Sequence, residues 1–225
     1  MSTYYPKDTA LIEGQALCIY RYALRDITSL EGTKRMLQLV QDKTYAREAR
    51  WIAANYLFRA NNIGLDTMNA AANLATAFTS ESDPILKLYL AMGLAKTKSS
   101  VAKEALFQTY ANSNDYRVKA NIIRALGNFN YAEVRDTIFQ ALKSKSSHVA
   151  HVAVEYLLHH GIADEANNYR RMATDTTYAP VVQIGLLTAS NKHLPPYFAD
   201  YIGEPILNCK DNLKNSKIAT SRQLP

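Results

Sequence analysis

Glycine, proline and cysteine are all scarce in this chain of 225 residues, which contains 8 glycines, 7 prolines and 2 cysteines. Strands joined by tight turns need glycine and proline at the turns, so this scarcity disfavours an all-β protein. Hydrophobic residues make up 48% of the chain, and long stretches rich in Ala, Leu, Asn, Lys and Arg contain no turn residues. The composition therefore predicts an all-α protein with a continuous hydrophobic core.

The chain also lacks the usual signals of a disulfide framework, a metal finger or a membrane span. Cys18 and Cys209 lie far apart with no CxxC or Cys/His spacing, and we expect both to be buried or half-buried thiols. No run of about 18 apolar residues is present. The N-terminal sequence MSTYYPKDTALIEG has no basic segment before an apolar one, so no signal peptide is expected. The sequence does not indicate the cellular compartment of the protein. If the chain is an internal fragment of a longer protein, a location in the cell envelope is compatible with it.

Charge of one sign is only moderately in excess. The 26 Lys and Arg residues outnumber the 20 Asp and Glu residues, for a formal net charge of +6, and the basic residues form no continuous run. This balance permits a nucleic-acid partner without requiring one.

One segment recurs along the chain. DPILKLYLAMGLA (83–95) and DYRVKANIIRALG (115–127) share the pattern Asp-x-x-(Leu/Val)-Lys-x-x-(Leu/Ile)-x-x-small-Leu-small. Further copies are AREARWIAANYL (46–57), HVAHVAVEYLLHHG (148–161) and APVVQIGLLTAS (179–190), with GQALCIYRYAL (14–24) as a degenerate copy. The apolar anchors of the five clearer copies are Ala49, Leu86, Val118, Val149 and Val181.

Other amphipathic stretches lie between these copies, at 33–42, 65–78, 100–111, 131–143 and 163–173. The repeating unit is therefore a first helix, a short turn and a second helix, about 31–37 residues in all, a length typical of helical repeats. Because one pair cannot bury its apolar stripe alone, the units must stack. The sequence predicts a right-handed α-α superhelix of about five to six helix pairs over residues 1–204, followed by a tail or linker at 205–225.

Two of the copies begin with an aspartate, a residue that stabilises the first turn of a helix. Asp83 and Asp115 are predicted N-caps, because a carboxylate accepts hydrogen bonds from the first amides of a helix. Each is followed four residues later by a lysine, Lys87 or Lys119, the spacing of a favourable ion pair on a helix. The small residues of the pattern, such as Gly93, would let neighbouring helices approach closely.

The copy at 115–127 resembles the second helix of HEAT repeats, whose pattern is Asp-x-x-Val-Arg-x-x-Ala-x-x-Ala-Leu-Gly. Lys119 stands where the family usually has Arg, and Ile122 where it usually has Ala. The resemblance covers roughly residues 10–190. It implies a helical solenoid that acts as a scaffold. Because HEAT arrays serve as scaffolds for many different partners, the resemblance does not identify the partner.

The segments EGQALCIYRYALRDITSLEGT (13–33), AANYLFRANNI (53–63) and YRVKANIIRAL (116–126) are also similar to the HEAT-repeat region of certain bacterial multi-domain cyclophilin-type peptidyl-prolyl isomerases. This resemblance implies that the chain is the scaffold part of a larger protein. The sequence shows no eight-stranded barrel, so no isomerase residue is carried over, and the chain itself is not expected to be an enzyme.

The second helices of HEAT-like arrays line the concave side, and the repeat register identifies the residues facing that side. An aromatic side chain, an apolar patch, arginines and histidines follow one another across the stack, and aromatic, Met and Arg residues are enriched at protein interfaces. We expect this surface to bind a protein segment or another part of the same polypeptide; the alternative is that the apolar members pack on a neighbouring helix. The candidate residues are Trp51, Arg59, Ile85, Leu88, Met92, Arg117, Arg124, His148, His151 and Glu155.

The same register places further residues on this stripe. They are Glu48, Asn55, Lys96, Ala120, Asn128 and His159 and, on the last copy, Pro180, Gln183, Leu187 and Asn191. The four positions His148, His151, Glu155 and His159 extend over about 16 Å of helix, so one metal ion would not reach all of them. We therefore predict exposed polar residues there, with no metal and no cofactor.

Two other classes of HEAT-like protein are open alternatives. Alkylbase DNA glycosylases resemble this chain in architecture, length and basic charge, but they need a continuous basic groove. Here Ile85, Leu88 and Met92 interrupt the arginines. A lyase or chaperone of the phycobilisome-lyase type is the other alternative. No nucleophile motif or phosphate-binding loop is present.

Overall fold

The computed structural model describes residues 8–65 and 70–194, and this part of the chain contains eleven α-helices and no strand. Each predicted amphipathic stretch overlaps a helix in these ranges, and residues 66–69 of the predicted stretch 65–78 lie outside them. In chain order the helices are α1 (Thr9–Ala23), α2 (Leu30–Gln41), α3 (Arg47–Arg59), α4 (Ala70–Ser80), α5 (Pro84–Ala95), α6 (Ser100–Asn112), α7 (Tyr116–Ala125), α8 (Tyr131–Leu142), α9 (Ser147–His160), α10 (Ala166–Ala173) and α11 (Pro180–His193).

The helices pack as repeated pairs. The first helices α2, α4, α6 and α10 pack on the second helices α3, α5, α7 and α11 that follow them. Second helices also pack on one another in the order α1, α3, α5 and α7, as do the first helices α2, α4 and α6. The sequence-based prediction of an all-α helical-repeat solenoid is therefore confirmed, and four packed helix pairs follow α1 in the described residues: α2–α3, α4–α5, α6–α7 and α10–α11.

The chain divides into two compact units, Met1–Tyr156 and Leu157–Pro225. The first unit contains α1 to α8 and most of α9. In the second unit α10 packs against α11. The predicted domain boundary at 204/205 and the predicted tail at 205–225 lie outside the described residues.

The predicted N-caps are confirmed. Asp83 Oδ1 accepts hydrogen bonds from the amides of Ile85 (2.8 Å) and Leu86 (3.3 Å). Asp115 Oδ1 accepts one from the amide of Arg117 (2.8 Å). These contacts satisfy amide groups that have no partner within the helix, which is why the sequence pattern marks the starts of α5 and α7.

The predicted ion pairs between these caps and the lysines are wrong. Asp83 instead pairs with Arg47 Nε of the preceding repeat at 2.5 Å. Lys87 donates to the backbone oxygens of Thr79 and Glu81. A charge partner in the neighbouring repeat and nearby carbonyl acceptors are tertiary contacts that helical spacing does not reveal.

The predicted ion pair between Asp115 and Lys119 is also wrong, because each residue has another partner. Asp115 pairs with Arg117 Nη2 at 2.6 Å, and the Lys119 ammonium lies 5.1 Å from the centre of the Tyr110 ring. An ammonium over an aromatic face is attracted by the ring quadrupole. Lys119 therefore stabilises the contact between α6 and α7.

The repeat register is correct for four of the five anchors. Ala49, Leu86, Val118 and Val149 are buried. The anchor placed at Val181 is wrong, because Val181 is exposed and the next residue, Val182, is the buried one at the start of α11. The register of α11 is therefore shifted by one residue from the predicted one.

Cys18 was also expected to be at least half-buried, but it is exposed on α1. Its helical neighbours Ile12 and Ala16 occupy the face of α1 that is turned to the core. Cys209 lies outside the described residues.

Candidate partner-binding surface

The ten candidate residues lie on four successive second helices, α3, α5, α7 and α9, and all belong to the first unit. None of them is buried in the core. Six are exposed and four are half-buried, so the predicted stripe is accessible along its length. The exposed members are Trp51, Arg59, Arg117, Arg124, His148 and His151, and the half-buried ones are Ile85, Leu88, Met92 and Glu155.

Some other positions assigned to this stripe are wrong. Asn55 and Ala120 are buried, and the Asn55 side-chain amide donates to the backbone oxygen of Trp51 (3.1 Å). Leu187, predicted to face outward on α11, is buried as well. Correcting the register by one residue places Val181 and Ile184 on the outward stripe of the second unit, and both are exposed.

An aromatic cluster connects α3 with α5. The Trp51 and Tyr89 rings meet edge to face with centroids 6.3 Å apart, and the Phe58 and Tyr89 rings stack with centroids 5.9 Å apart. The Arg59 guanidinium lies 6.0 Å from the centre of the Phe58 ring. Aromatic pairs in these geometries gain about 0.5–1.5 kcal/mol beyond burial of their area. The cluster therefore holds Trp51 in a fixed orientation while leaving 39% of it exposed.

Phe58 and Tyr89 also belong to this surface, although the repeat register did not predict them. The repeat register assigned only one residue per helical turn of each copy to the outward-facing stripe. Tyr89 follows Leu88 directly and lies four residues after Ile85, so it shares the face of α5 that the candidate residues occupy. An aromatic residue next to a stripe position was the signal available in the sequence.

The apolar side chains of α5 extend this cluster. Ile85, Leu88 and Met92 are spaced by three and four residues, which places them on one face of the helix together with Tyr89. All four are half-buried. Together with two aromatic residues of α3 they form what we call the aromatic–apolar surface, which consists of Trp51, Phe58, Ile85, Leu88, Tyr89 and Met92.

The two candidate arginines beyond this surface are both paired with carboxylates. Arg117 donates from Nε and Nη2 to Asp115 (3.1 and 2.6 Å), and this hydrogen-bonded guanidinium holds the pKa of the Asp115 carboxyl below its usual value. Arg124 Nη2 lies 3.6 Å from Glu155 Oε2 on α9. Because each positive charge has a negative neighbour, this part of the surface is not a strip of unopposed positive charge.

The histidines make separate contacts. The His148 ring meets the Tyr116 ring edge to face with centroids 5.7 Å apart, and His151 is exposed. Within residues 8–65 and 70–194, no three His, Cys, Asp or Glu side chains come together as a group that could hold a metal ion. The imidazole of His148 thus contributes an aromatic contact to the surface between α7 and α9.

The same described ranges contain no helix that is long and apolar enough to cross a membrane. Among the outward faces of the second helices, the aromatic–apolar surface combines the exposed Trp51 with half-buried Tyr89 and aliphatic side chains. Tryptophan and tyrosine are among the residues that contribute most binding energy at protein interfaces.

Comparison with known families identifies the repeats. A family model described as HEAT repeats matches residues 70–157 and 103–186, two overlapping segments that together cover more than half of the chain. No curated protein matches the chain. The similarity to isomerase-associated repeats, which rests on residues 13–33, 53–63 and 116–126, stays a prediction. The matched segments and the stacked helix pairs lead to one conclusion: the chain belongs to the HEAT-repeat family.

Proposed function

We propose that this HEAT-repeat chain is a non-catalytic scaffold that binds a segment of a partner protein on the aromatic–apolar surface. One observation carries the proposal: Trp51 is exposed, yet its orientation is fixed by Tyr89, which Phe58 in turn stacks against. A rigid, partly exposed aromatic residue loses little conformational entropy on binding, so it makes an efficient anchor. HEAT arrays commonly present such surfaces along their second helices.

The chemistry of the surface defines the kind of segment that fits it. The centre is apolar, so the segment needs large apolar or aromatic side chains facing α3 and α5. The flanks are polar, with Arg59 at one side and the Arg124–Glu155 pair farther along the stack. An amphipathic helix or an extended segment with spaced apolar residues meets both requirements.

The occupant belongs either to a separate protein or to another part of a longer polypeptide. The similarity to repeats that accompany cyclophilin-type isomerases supports the second source. In that arrangement the HEAT repeats would hold a substrate protein or a neighbouring domain, and any isomerase activity would reside outside residues 1–225. The scaffold role is the same for both sources.

The test is quantitative capture of cross-linked partners from cells that express the tagged chain. We expect Trp51→Ala and Met92→Asp to reduce the recovery of specific partners at least tenfold, because both changes remove apolar area at the centre of the surface. Val101→Asp is the matched control, since Val101 is 48% exposed on the first helix α6. Unchanged recovery with both surface variants would contradict the proposal.

Folding must be checked in parallel. Trp51→Ala removes a ring contact of about 0.5–1.5 kcal/mol and Met92→Asp places a charge at a half-buried position, so the urea midpoints should fall while circular dichroism shows that each variant is still folded. A loss of partners that also occurs with Val101→Asp would indicate a general effect of a new surface charge, and would not support the aromatic–apolar surface as the site.

A further inference from the structure

Three residues other than glycine have a positive φ in the described ranges, and they occupy the same place in three successive turns. Asp26, Asn62 and Lys98 are each the third residue after the end of a helix, α1, α3 and α5 respectively, with φ of 60°, 49° and 49°. Helices often end in a left-handed residue, but asparagine and aspartate adopt this conformation more readily than lysine. The three turns therefore share a backbone feature that comes from the repeat, although their side chains differ.

Hydrogen bonds hold these turns side by side in the first unit. Thr28 Oγ1 donates to the backbone oxygen of Asn62 (3.3 Å), which connects the turn after α1 with the turn after α3. Lys96 Nζ donates to the backbone oxygen of Ala60 (2.8 Å), which connects the turn after α5 with the same neighbour. Because each bond joins a side chain to the main chain of an adjacent repeat, the position of each turn relative to the next is fixed.

A cavity of about 860 Å³ lies where the three turns meet. All three left-handed residues line it, together with Asn61 and Lys96. Asp26, Asn61, Asn62 and Lys98 are exposed, so the cavity opens to solvent, whereas Lys96 is half-buried in its wall. The lining thus brings two ammonium groups and two side-chain amides from separate repeats to one place, and all four can donate hydrogen bonds.

The charges of the lining are not paired with one another. Lys96 and Lys98 each carry a positive charge and Asp26 a negative one, and within the described ranges none of the three takes part in an ion pair. Burial removes the Lys96 ammonium from water and lowers its pKa to about 8. An anion placed beside this ammonium would replace the stabilisation that water no longer supplies, so the cavity favours a negatively charged ligand.

We propose that this cavity binds an oxyanion, a phosphate or a carboxylate group, through the ammonium groups of Lys96 and Lys98. The side-chain amides of Asn61 and Asn62 supply further donors, and the oxygens of both kinds of group accept several N–H bonds at once. Asp26 repels the anion, which keeps the affinity low and the binding reversible. The site is formed by the turns after α1, α3 and α5, so it does not depend on the proposed role of the aromatic–apolar surface.

Competitive labelling of the full chain measures this binding at Lys96 itself. A trace of acetic anhydride acetylates only neutral amines, and an anion beside Lys96 favours the ammonium, so it raises the pKa of Lys96 and slows its labelling. At about pH 8 we expect about 20 mM methyl phosphate or acetate to slow the acetylation of Lys96 about twofold or more, relative to sodium chloride at equal ionic strength. Mass spectrometry gives the rate for each lysine, and the exposed Lys34, paired with Glu31, should keep its rate.

Two substitutions that suit a left-handed backbone should have opposite effects. Lys98→Asn removes an ammonium, so the concentration of anion that protects Lys96 should rise about threefold or more. Asp26→Asn removes the repelling charge, so the same concentration should fall. Asparagine accepts a positive φ, which keeps both turns intact. Lys34→Met, which removes a positive charge from α2, is the matched control and should leave the concentration unchanged.

The two anions distinguish the two possible groups. Protection of Lys96 by methyl phosphate at the lower concentration would identify the ligand group as a phosphate, and protection by acetate at the lower concentration would identify it as a carboxylate. If neither anion protects Lys96, the proposal is overturned. It is also overturned if Lys98→Asn and Lys34→Met weaken the protection equally, because the effect would then reflect the net charge of the chain.

Discussion

Gly93 on α5 lies directly against Leu57 on α3. A Cβ atom added to Gly93 would be 2.9 Å from Leu57 Cβ and 3.4 Å from the Leu57 backbone carbon, which is closer than side chains normally approach. Since Cβ and backbone atoms cannot move aside without moving the helix, this glycine sets the separation of two adjacent repeats. It also keeps α5 close enough for Tyr89 to reach Trp51 and Phe58.

Gly93→Ala should therefore lower the stability of the first unit. Alanine favours a helix over glycine by about 1 kcal/mol, but overpacking of a tight contact costs about 1–3 kcal/mol, so we expect a net destabilisation of roughly 1 kcal/mol. Gly14→Ala on α1 is the matched control, because an added Cβ there would meet nothing within 4 Å. Urea unfolding followed by circular dichroism should show Gly14→Ala stabilising and Gly93→Ala destabilising; the same sign for both would contradict the close approach.

A buried ion pair connects α3 with the turn before α5. Arg50 Nη2 pairs with Glu81 Oε2, and both side chains are almost entirely buried. Glu81 Oε1 also accepts hydrogen bonds from the backbone amides of Ser82 (2.8 Å) and Asp83 (2.9 Å). Removing one partner of a buried pair leaves the other charge without compensation, so Arg50→Met should cost about 3 kcal/mol.

The exposed pair between Lys34 and Glu31 on α2 supplies the comparison. Pairs of this kind contribute at most about 0.5 kcal/mol, so Lys34→Met should have little effect on the urea midpoint. If Arg50→Met costs no more than Lys34→Met, then Arg50 and Glu81 are not paired in solution.

Lys96 predicts a specific dependence of stability on pH. Its ammonium donates to the backbone oxygen of Ala60 at 2.8 Å, and burial lowers its pKa from 10.5 to about 8. Folding therefore disfavours the protonated amine. Between about pH 8 and 10.5 the unfolded chain holds a proton that the folded chain has released, so this group makes the folded state more stable as the pH rises through that range.

The measurement is the difference in urea midpoint between the unmodified chain and Lys96→Met at several pH values. Because other titrating groups are common to both proteins, their contributions cancel in this difference. We expect the urea midpoint of the unmodified chain to rise relative to that of Lys96→Met between pH 7.5 and pH 10. A constant difference would show that Lys96 keeps an ordinary pKa in the folded protein.

Nucleic-acid binding should be weak and only slightly dependent on salt. Arg117 and Arg124 each face a carboxylate, so neither offers an unopposed charge to a phosphate. In fluorescence anisotropy with duplex DNA, we expect a slope of log affinity against log salt equivalent to fewer than about three phosphate contacts. A steep slope that flattened by about one unit for each of Arg117→Ala and Arg124→Ala would favour the nucleic-acid-binding alternative.

The helices themselves were predictable because their signals are local. Asp83 and Asp115 mark helix starts through hydrogen bonds to amides two and three residues away, and the apolar period of each stretch shows which face is buried. The anchors Ala49, Leu86 and Val118 recur because each is the buried residue at the same position near the start of its second helix. The anchor at Val181 was misplaced because the chain between Val149 and the buried Val182 is one residue longer than the repeat predicts, which shifts the register without changing the helical pattern.

The candidate surface was only partly predictable, since it combines residues of different helices. Helical spacing placed Trp51 and Met92 on the outward stripe, and both are accessible. It could not show that Tyr89 fixes Trp51, because that contact depends on the distance between α3 and α5. Nor could it show that Arg117 turns to Asp115, a choice between rotamers that no spacing rule encodes.

The sequence by itself determined the all-α class, the length of the repeat unit and the core anchors of the first four clear copies, because these follow from period and capping within single helices. The tertiary structure decided which charges pair across repeats, as with Arg47 and Asp83, and which apolar residues stay uncovered, as on α1. The physical reason is that period and capping act over one or two turns of helix. Pairing and exposure depend on which side chains from distant parts of the chain lie within a few ångströms of one another.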